Sequence, residues 1–128
     1  MSLRSPLGRV LGYGAARDGV GHWWVQRLTA VALIPLSLWF LVSLLTLGSL
    51  DHAAVIDWLA SPMSAVLTML LVLTLAYHSK LGVQVVVEDY VHHHGLKLAT
   101  LILSAFAHIL AAGVGVFAVL KVAFGGTP

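Results

Sequence analysis

Trp58-Leu59-Ala60-Ser61-Pro62-Met63-Ser64-Ala65-Val66-Leu67-Thr68-Met69-Leu70-Leu71-Val72-Leu73-Thr74-Leu75-Ala76-Tyr77-His78-Ser79 is a run of 22 residues without Asp, Glu, Lys or Arg. An α-helix rises about 1.5 Å per residue and a bilayer's hydrocarbon core is about 30 Å thick, so roughly 20 such residues cross it. Two more runs of the same kind flank it, residues 28–50 and 98–120, each 23 residues long. In lipid the backbone must satisfy its own hydrogen bonds, which only helices and closed barrels achieve. A barrel would show segments of about ten residues with alternating polarity, and the sequence has none. The fold class read from the sequence is therefore all-α integral membrane, with three transmembrane helices.

The three runs hold 68 of the 128 residues, and charged residues make up 9 % of the chain. Soluble domains carry about 25 % charged residues. No separate soluble core is left, so the expectation is a cytoplasmic N-terminal segment, residues 1–27, followed by one membrane domain, residues 28–128. Its helices are expected at about 28–50, 58–88 and 98–120. The chain has no cysteine, which excludes iron–sulfur ligation, disulfides and thiol nucleophiles within it. The net charge of +2 comes from few charges rather than a basic patch, so nucleic acid is not an expected partner.

Orientation follows the Lys/Arg bias near helix ends. Arg4, Arg9, Arg17 and Arg27 precede the first run, whereas the first loop carries Asp51 and Asp57 and no Lys or Arg. The second loop carries Lys80 and Lys97, and the tail only Lys121. This places the N-terminus and second loop inside, and the first loop and C-terminus outside. No short apolar stretch with a small-residue cleavage site precedes residue 28, so a cleaved signal is not expected.

Local signals refine the elements. Gly8, Gly12, Gly14, Gly19 and Gly21 suggest an irregular segment over 1–21. Trp23 and Trp24 beside Arg27 suit a membrane–water interface. Pro35 falls inside the first helix, where neighbours must satisfy the carbonyl it frees. Ser61-Pro62 suits the first turn of the second helix, which resumes beyond Lys80 as far as Glu88. In the third run Ser104, His108, Ala111, Ala112 and Gly115 form a stripe of small residues and one histidine, which permits close helix packing.

His78 stands inside an apolar run, where an ionisable side chain is costly and faces protein or a cavity. It is a metal ligand, a proton carrier or an interhelical hydrogen-bonding residue. Helical spacing puts Gly82, Val85 and Asp89 on the same stripe. Gly82, one turn away, either lets a flat group held by His78 approach the backbone or simply serves helix packing. Haem needs such a slot and an axial imidazole. Asp89-Tyr90 lies at the inner surface, about 18 Å along the axis from His78. The phenol can donate to a carbonyl such as that of a quinone headgroup, with Asp89 polarising it; the alternative is an interfacial aromatic beside a solvated carboxylate.

The segment His78, Gly82, Gln84-Val85 and Asp89-Tyr90-Val91-His92 resembles the second-helix motif of the hydrophobic membrane-anchor subunits, type D, of succinate dehydrogenase (respiratory complex II). His22-Trp23 with Arg27 is similar to that family's lead into helix 1, and the resemblance spans roughly residues 20–120. It implies an anchor within a multi-subunit helical bundle; the spacing resembles both bacterial and mitochondrial members, and the short N-terminus without an evident transit peptide favours the bacterial inner membrane. His78 would be an axial ligand of haem b iron, with the other ligand from a second membrane-anchor subunit. Arg27 would meet the haem propionates, although phospholipid headgroups are its alternative partners. Tyr90 would hydrogen-bond ubiquinone, with Asp89 supporting it. The implied partners are the second anchor, an iron–sulfur subunit, a flavoprotein subunit and lipid. No residue of this chain is expected to be catalytic by itself, because succinate chemistry belongs to the flavoprotein.

His22, His92, His93 and His94 gather near the inner surface; adjacent histidines cannot all face one centre on a regular helix, so solvated or interface roles are expected. His108 is expected to make an interhelical hydrogen bond, and is the second candidate for haem ligation. Two other readings fit the same residues. One is a fumarate reductase anchor. The other is a small transporter or assembly subunit with a His78/Asp89 proton relay.

Overall fold

The first apolar run lies within a helix longer than itself. In the computed structural model, which describes residues 16–125 with side chains from residue 19 onward, α1 spans Ala16–Thr46 and runs through Pro35. It therefore begins 12 residues before position 28, continuing through much of the segment read from sequence as irregular and crossing the domain boundary set at 27/28. Gly19 and Gly21 disfavour helix by only about 1 kcal/mol each, and the helix runs through both. The rest of the irregular segment expected over 1–21 lies outside the described residues.

The loop expected before the second span contains a short helix, α2 (His52–Ala60). Asp51 caps it, with the carboxylate accepting from the Ala54 N–H at 2.8 Å. That bond, and secondarily one with Ser49, holds the Asp51 carboxyl below the usual carboxylate range. The run quoted above is thus divided. Its first residues end α2, and α3 (Pro62–Tyr90) begins after a break at Ser61. Ser61 serves both helices. Its backbone N–H closes α2 on the Trp58 carbonyl, and its hydroxyl accepts from the Ser64 N–H at 3.3 Å. Pro62 at the first helical position needs no N–H partner there. The second span, expected at about 58–88 with its first turn at Ser61-Pro62, runs over 62–90, and the short helix before it was not expected.

A three-residue link leads to α4 (His94–Phe124). His93 caps it through Nδ1, which accepts from the Leu96 N–H at 3.3 Å. Lys97 Nζ donates to the Glu88 carbonyl at 2.9 Å, placing a cation on the C-terminal end of α3, where the helix dipole favours one.

α3 is the central element and packs against both α1 and α4. The small-residue stripe of α4 faces α3. At Gly115 an added Cβ would stand 2.8 Å from Val72 Cγ1, so the helices touch where neither can widen. α2 packs on α3 and α4, and its Trp58 stacks on Trp39 of α1 at 5.8 Å between ring centroids. Few residues are buried, mostly on α3: Ser64, Ala65, Thr68, Leu81 and Val87. Large apolar side chains such as Leu28, Ile34 and Leu38 on α1, and Leu103, Phe106 and Phe117 on α4, stay exposed. Such faces require lipid or other helices to cover them. α1, α3 and α4 are each long and apolar enough to cross a bilayer.

Candidate functional site

α1 and α3 run antiparallel, which sets the N-terminal half of α1 beside the C-terminal half of α3. Between them lies a groove of about 650 Å³. From α3 it is lined by His78, Gly82 and Val85, which recur at helical spacing. From α1 it is lined by Gly19, His22, Trp23, Gln26, Arg27 and Ala30, again one stripe.

His78 is anchored on one side only. Its Nδ1 lies 2.9 Å from the Thr29 hydroxyl. Its Nε2 has no hydrogen-bond partner among the described residues. The Thr29 hydroxyl lies 2.9 Å from the Val25 carbonyl and 3.0 Å from that of Gln26, both in the preceding turn of α1. His22, which also lines the groove, has its Nε2 buried and without a hydrogen-bond partner among the described residues. The Arg27 guanidinium lies over the Trp23 ring at 5.2 Å, a cation–π contact that holds a positive charge at the groove. No carboxylate pairs with it among the described residues.

Gly82 differs from Gly115. A Cβ at Gly82 would meet only Gln26 Nε2, at 3.9 Å, an ordinary contact. Helix packing does not require glycine here; the space its missing side chain leaves belongs to the groove.

A single imidazole does not hold a bare metal ion, and no group of three or more His, Asp or Glu suited to one occurs among the described residues. A flat macrocycle bringing four donors of its own needs only one axial nitrogen from this chain. An open imidazole nitrogen, a glycine beside it and a guanidinium make a set that fits such a group with carboxylate side arms.

His108 is a contrasting case. Its Nδ1 donates to the Ser104 carbonyl at 2.7 Å and its Nε2 lies 3.1 Å from the Ser79 hydroxyl. Both nitrogens are used, and the residue links α4 to α3 as expected from sequence. Tyr90 and Asp89 stand apart from the groove. Tyr90 is the last residue of α3 and 78 % exposed, and Asp89 is exposed beside it. His93 is engaged as a helix cap, while His92 and His94 are exposed.

The structure thus brings His78, Gly82 and Arg27 together and leaves Tyr90 and Asp89 outside. It adds His22, Gln26 and Thr29, which the sequence reading did not place at this site. Their spacing offered a signal, because positions 22, 26 and 29 share one face of α1 with Ala30.

The Succinate dehydrogenase/Fumarate reductase transmembrane subunit family model matches residues 1–120. A succinate dehydrogenase hydrophobic membrane anchor subunit of Rickettsia bellii is 35 % identical over 95 residues, covering 74 % of this chain and 76 % of that protein. One from Paracoccus denitrificans is 25 % identical over 125 residues, covering 98 % and 96 %. A succinate dehydrogenase membrane anchor subunit of Reclinomonas americana is 26 % identical over 98 residues, covering 74 % and 82 %.

Proposed function

The chain belongs to the succinate dehydrogenase/fumarate reductase transmembrane subunit family, and we propose that it is the anchor of a bacterial succinate dehydrogenase that helps bind haem b and ubiquinone. The anchor role follows from the family. The finer reading is supported most by His78, whose Nδ1 is held by Thr29 while its Nε2 is open beside the groove that Gly82 helps line.

In this reading His78 would hold the haem iron through Nε2, and a second membrane-anchor subunit would supply a further ligand. Arg27 neutralises propionates through its planar fork. Haem b, when bound, supplies a one-electron centre near the quinone site. Tyr90 donates its phenolic hydrogen to a ubiquinone carbonyl, and Asp89 beside it orients that donor and supplies a proton route. The exposure of Tyr90 in this chain leaves its hydroxyl available to a substrate held between subunits. Succinate oxidation itself belongs to the flavoprotein, and electrons arrive through the iron–sulfur subunit. The membrane is the bacterial inner membrane, with the N-terminus and the α3–α4 link inside.

Succinate is the favoured substrate over fumarate, because the relatives named above are all succinate dehydrogenase subunits. The test is co-expression with a flavoprotein, an iron–sulfur subunit and a second anchor from one operon. The purified complex should reduce ubiquinone with succinate and show a b-type reduced-minus-oxidised spectrum. A stable active complex without haem would overturn the haem assignment. A chain that copurifies with none of these subunits and carries protons alone would favour the relay.

A further inference from the structure

We propose that Thr29 is a positioning residue for His78, fixing the tautomer that leaves Nε2 open to the groove. The inference deepens the haem reading and rests on it.

A threonine hydroxyl has one proton and accepts through its oxygen. Thr29 Oγ1 lies 2.9 Å from the Val25 carbonyl and 3.0 Å from the Gln26 carbonyl, and 2.9 Å from His78 Nδ1. Two of these three neighbours are oxygens that only accept. When the hydroxyl proton goes to them, Nδ1 must carry a proton and donate it to Oγ1. Nε2 is then unprotonated and its lone pair is free. The opposite arrangement sends the hydroxyl proton to Nδ1 and puts a proton on Nε2. That arrangement gives up the hydroxyl's own donation to the Val25 and Gln26 carbonyls in the preceding turn. The geometry therefore favours the ligand-ready tautomer before any ligand arrives.

Threonine also suits the task sterically. Its branched β-carbon restricts χ1, and in a helix the hydroxyl can bond back to the preceding turn. Oγ1 is thus a fixed point on α1, and the His78 ring on α3 is held against it. A hydrogen bond to the outer N–H raises the basicity of a ligating imidazole. That stabilises the more highly charged state of the metal, so the bond lowers the haem potential.

The experiment uses the whole purified complex carrying Thr29→Val, which keeps the shape and removes the hydroxyl, and Thr29→Ser, which keeps the hydroxyl. The readouts are the haem midpoint potential by redox titration and the low-spin EPR spectrum, which reports ring orientation. Thr29→Val should bind haem with a raised potential and altered g-values, and Thr29→Ser should resemble wild type. Loss of haem in Thr29→Val with restoration in Thr29→Ser would equally support the hydroxyl's role. An unchanged potential and EPR spectrum in Thr29→Val would overturn the inference and leave the haem reading standing. Equal disturbance in both variants would also overturn it, since the hydroxyl would then not matter. A wild-type complex without haem would remove the haem reading itself, and the inference with it.

Discussion

His78 and His108 are both imidazoles inside apolar runs, and each hydrogen-bonds a hydroxyl on a neighbouring helix. At His108 a carbonyl and a hydroxyl engage both nitrogens, and the ring is a strut between α3 and α4. At His78 one nitrogen is held and the other is open beside a groove. A histidine in a membrane span is therefore not a site by position alone. What separates the two is the number of nitrogens that the protein itself satisfies. Glycine shows the same contrast. Gly115 is required by contact with Val72, whereas Gly82 has no such constraint and borders open space.

The largest effect expected from breaking this contrast is at Gly82. Gly82→Leu fills the groove beside His78 without striking backbone, so the complex should assemble with most of its haem lost. Pigment content per flavin measures this, and full pigmentation would mean the groove does not hold the haem. Gly115→Val should act oppositely, on stability rather than pigment. Overpacking a tight interface typically costs about 1–3 kcal/mol, to be read as a lower midpoint in thermal inactivation of the complex. An unchanged midpoint would show that the α3–α4 contact yields easily.

Tyr90→Phe is expected to have a smaller effect. Removing one hydrogen bond costs about 0.5–1.5 kcal/mol, so quinone reduction should fall by a few-fold to roughly tenfold. Succinate oxidation with an artificial acceptor that draws from the flavin should survive. Equal loss of both activities would signal failed assembly, and unchanged quinone kinetics would remove Tyr90 from the quinone site.

Much of this was legible in the sequence because lipid imposes a length on apolar runs and a helical period on their faces. That is why three spans and the His78–Gly82–Val85 stripe could be read directly. Ser61-Pro62 marked the first turn of α3, whereas α2 went unread although Asp51 before an apolar stretch signals a helix start. The extension of α1 to Ala16 was hidden because five glycines in the first 21 residues suggest irregular chain, although each costs a helix only about 1 kcal/mol. The shared face of His22 and Thr29 on α1 was readable, but its approach to α3 depends on the register between two helices, which no single run contains.

The most direct measurement is a paired reduced-minus-oxidised spectrum of complexes carrying His78→Ala or His108→Ala, with subunit content checked in each. The His78→Ala complex should lose or shift the b-type signal while its subunits remain assembled, and the His108→Ala complex should keep the signal at the wild-type wavelength. An unchanged signal in His78→Ala would contradict the assignment, and a loss confined to His108→Ala would transfer the ligand role to His108.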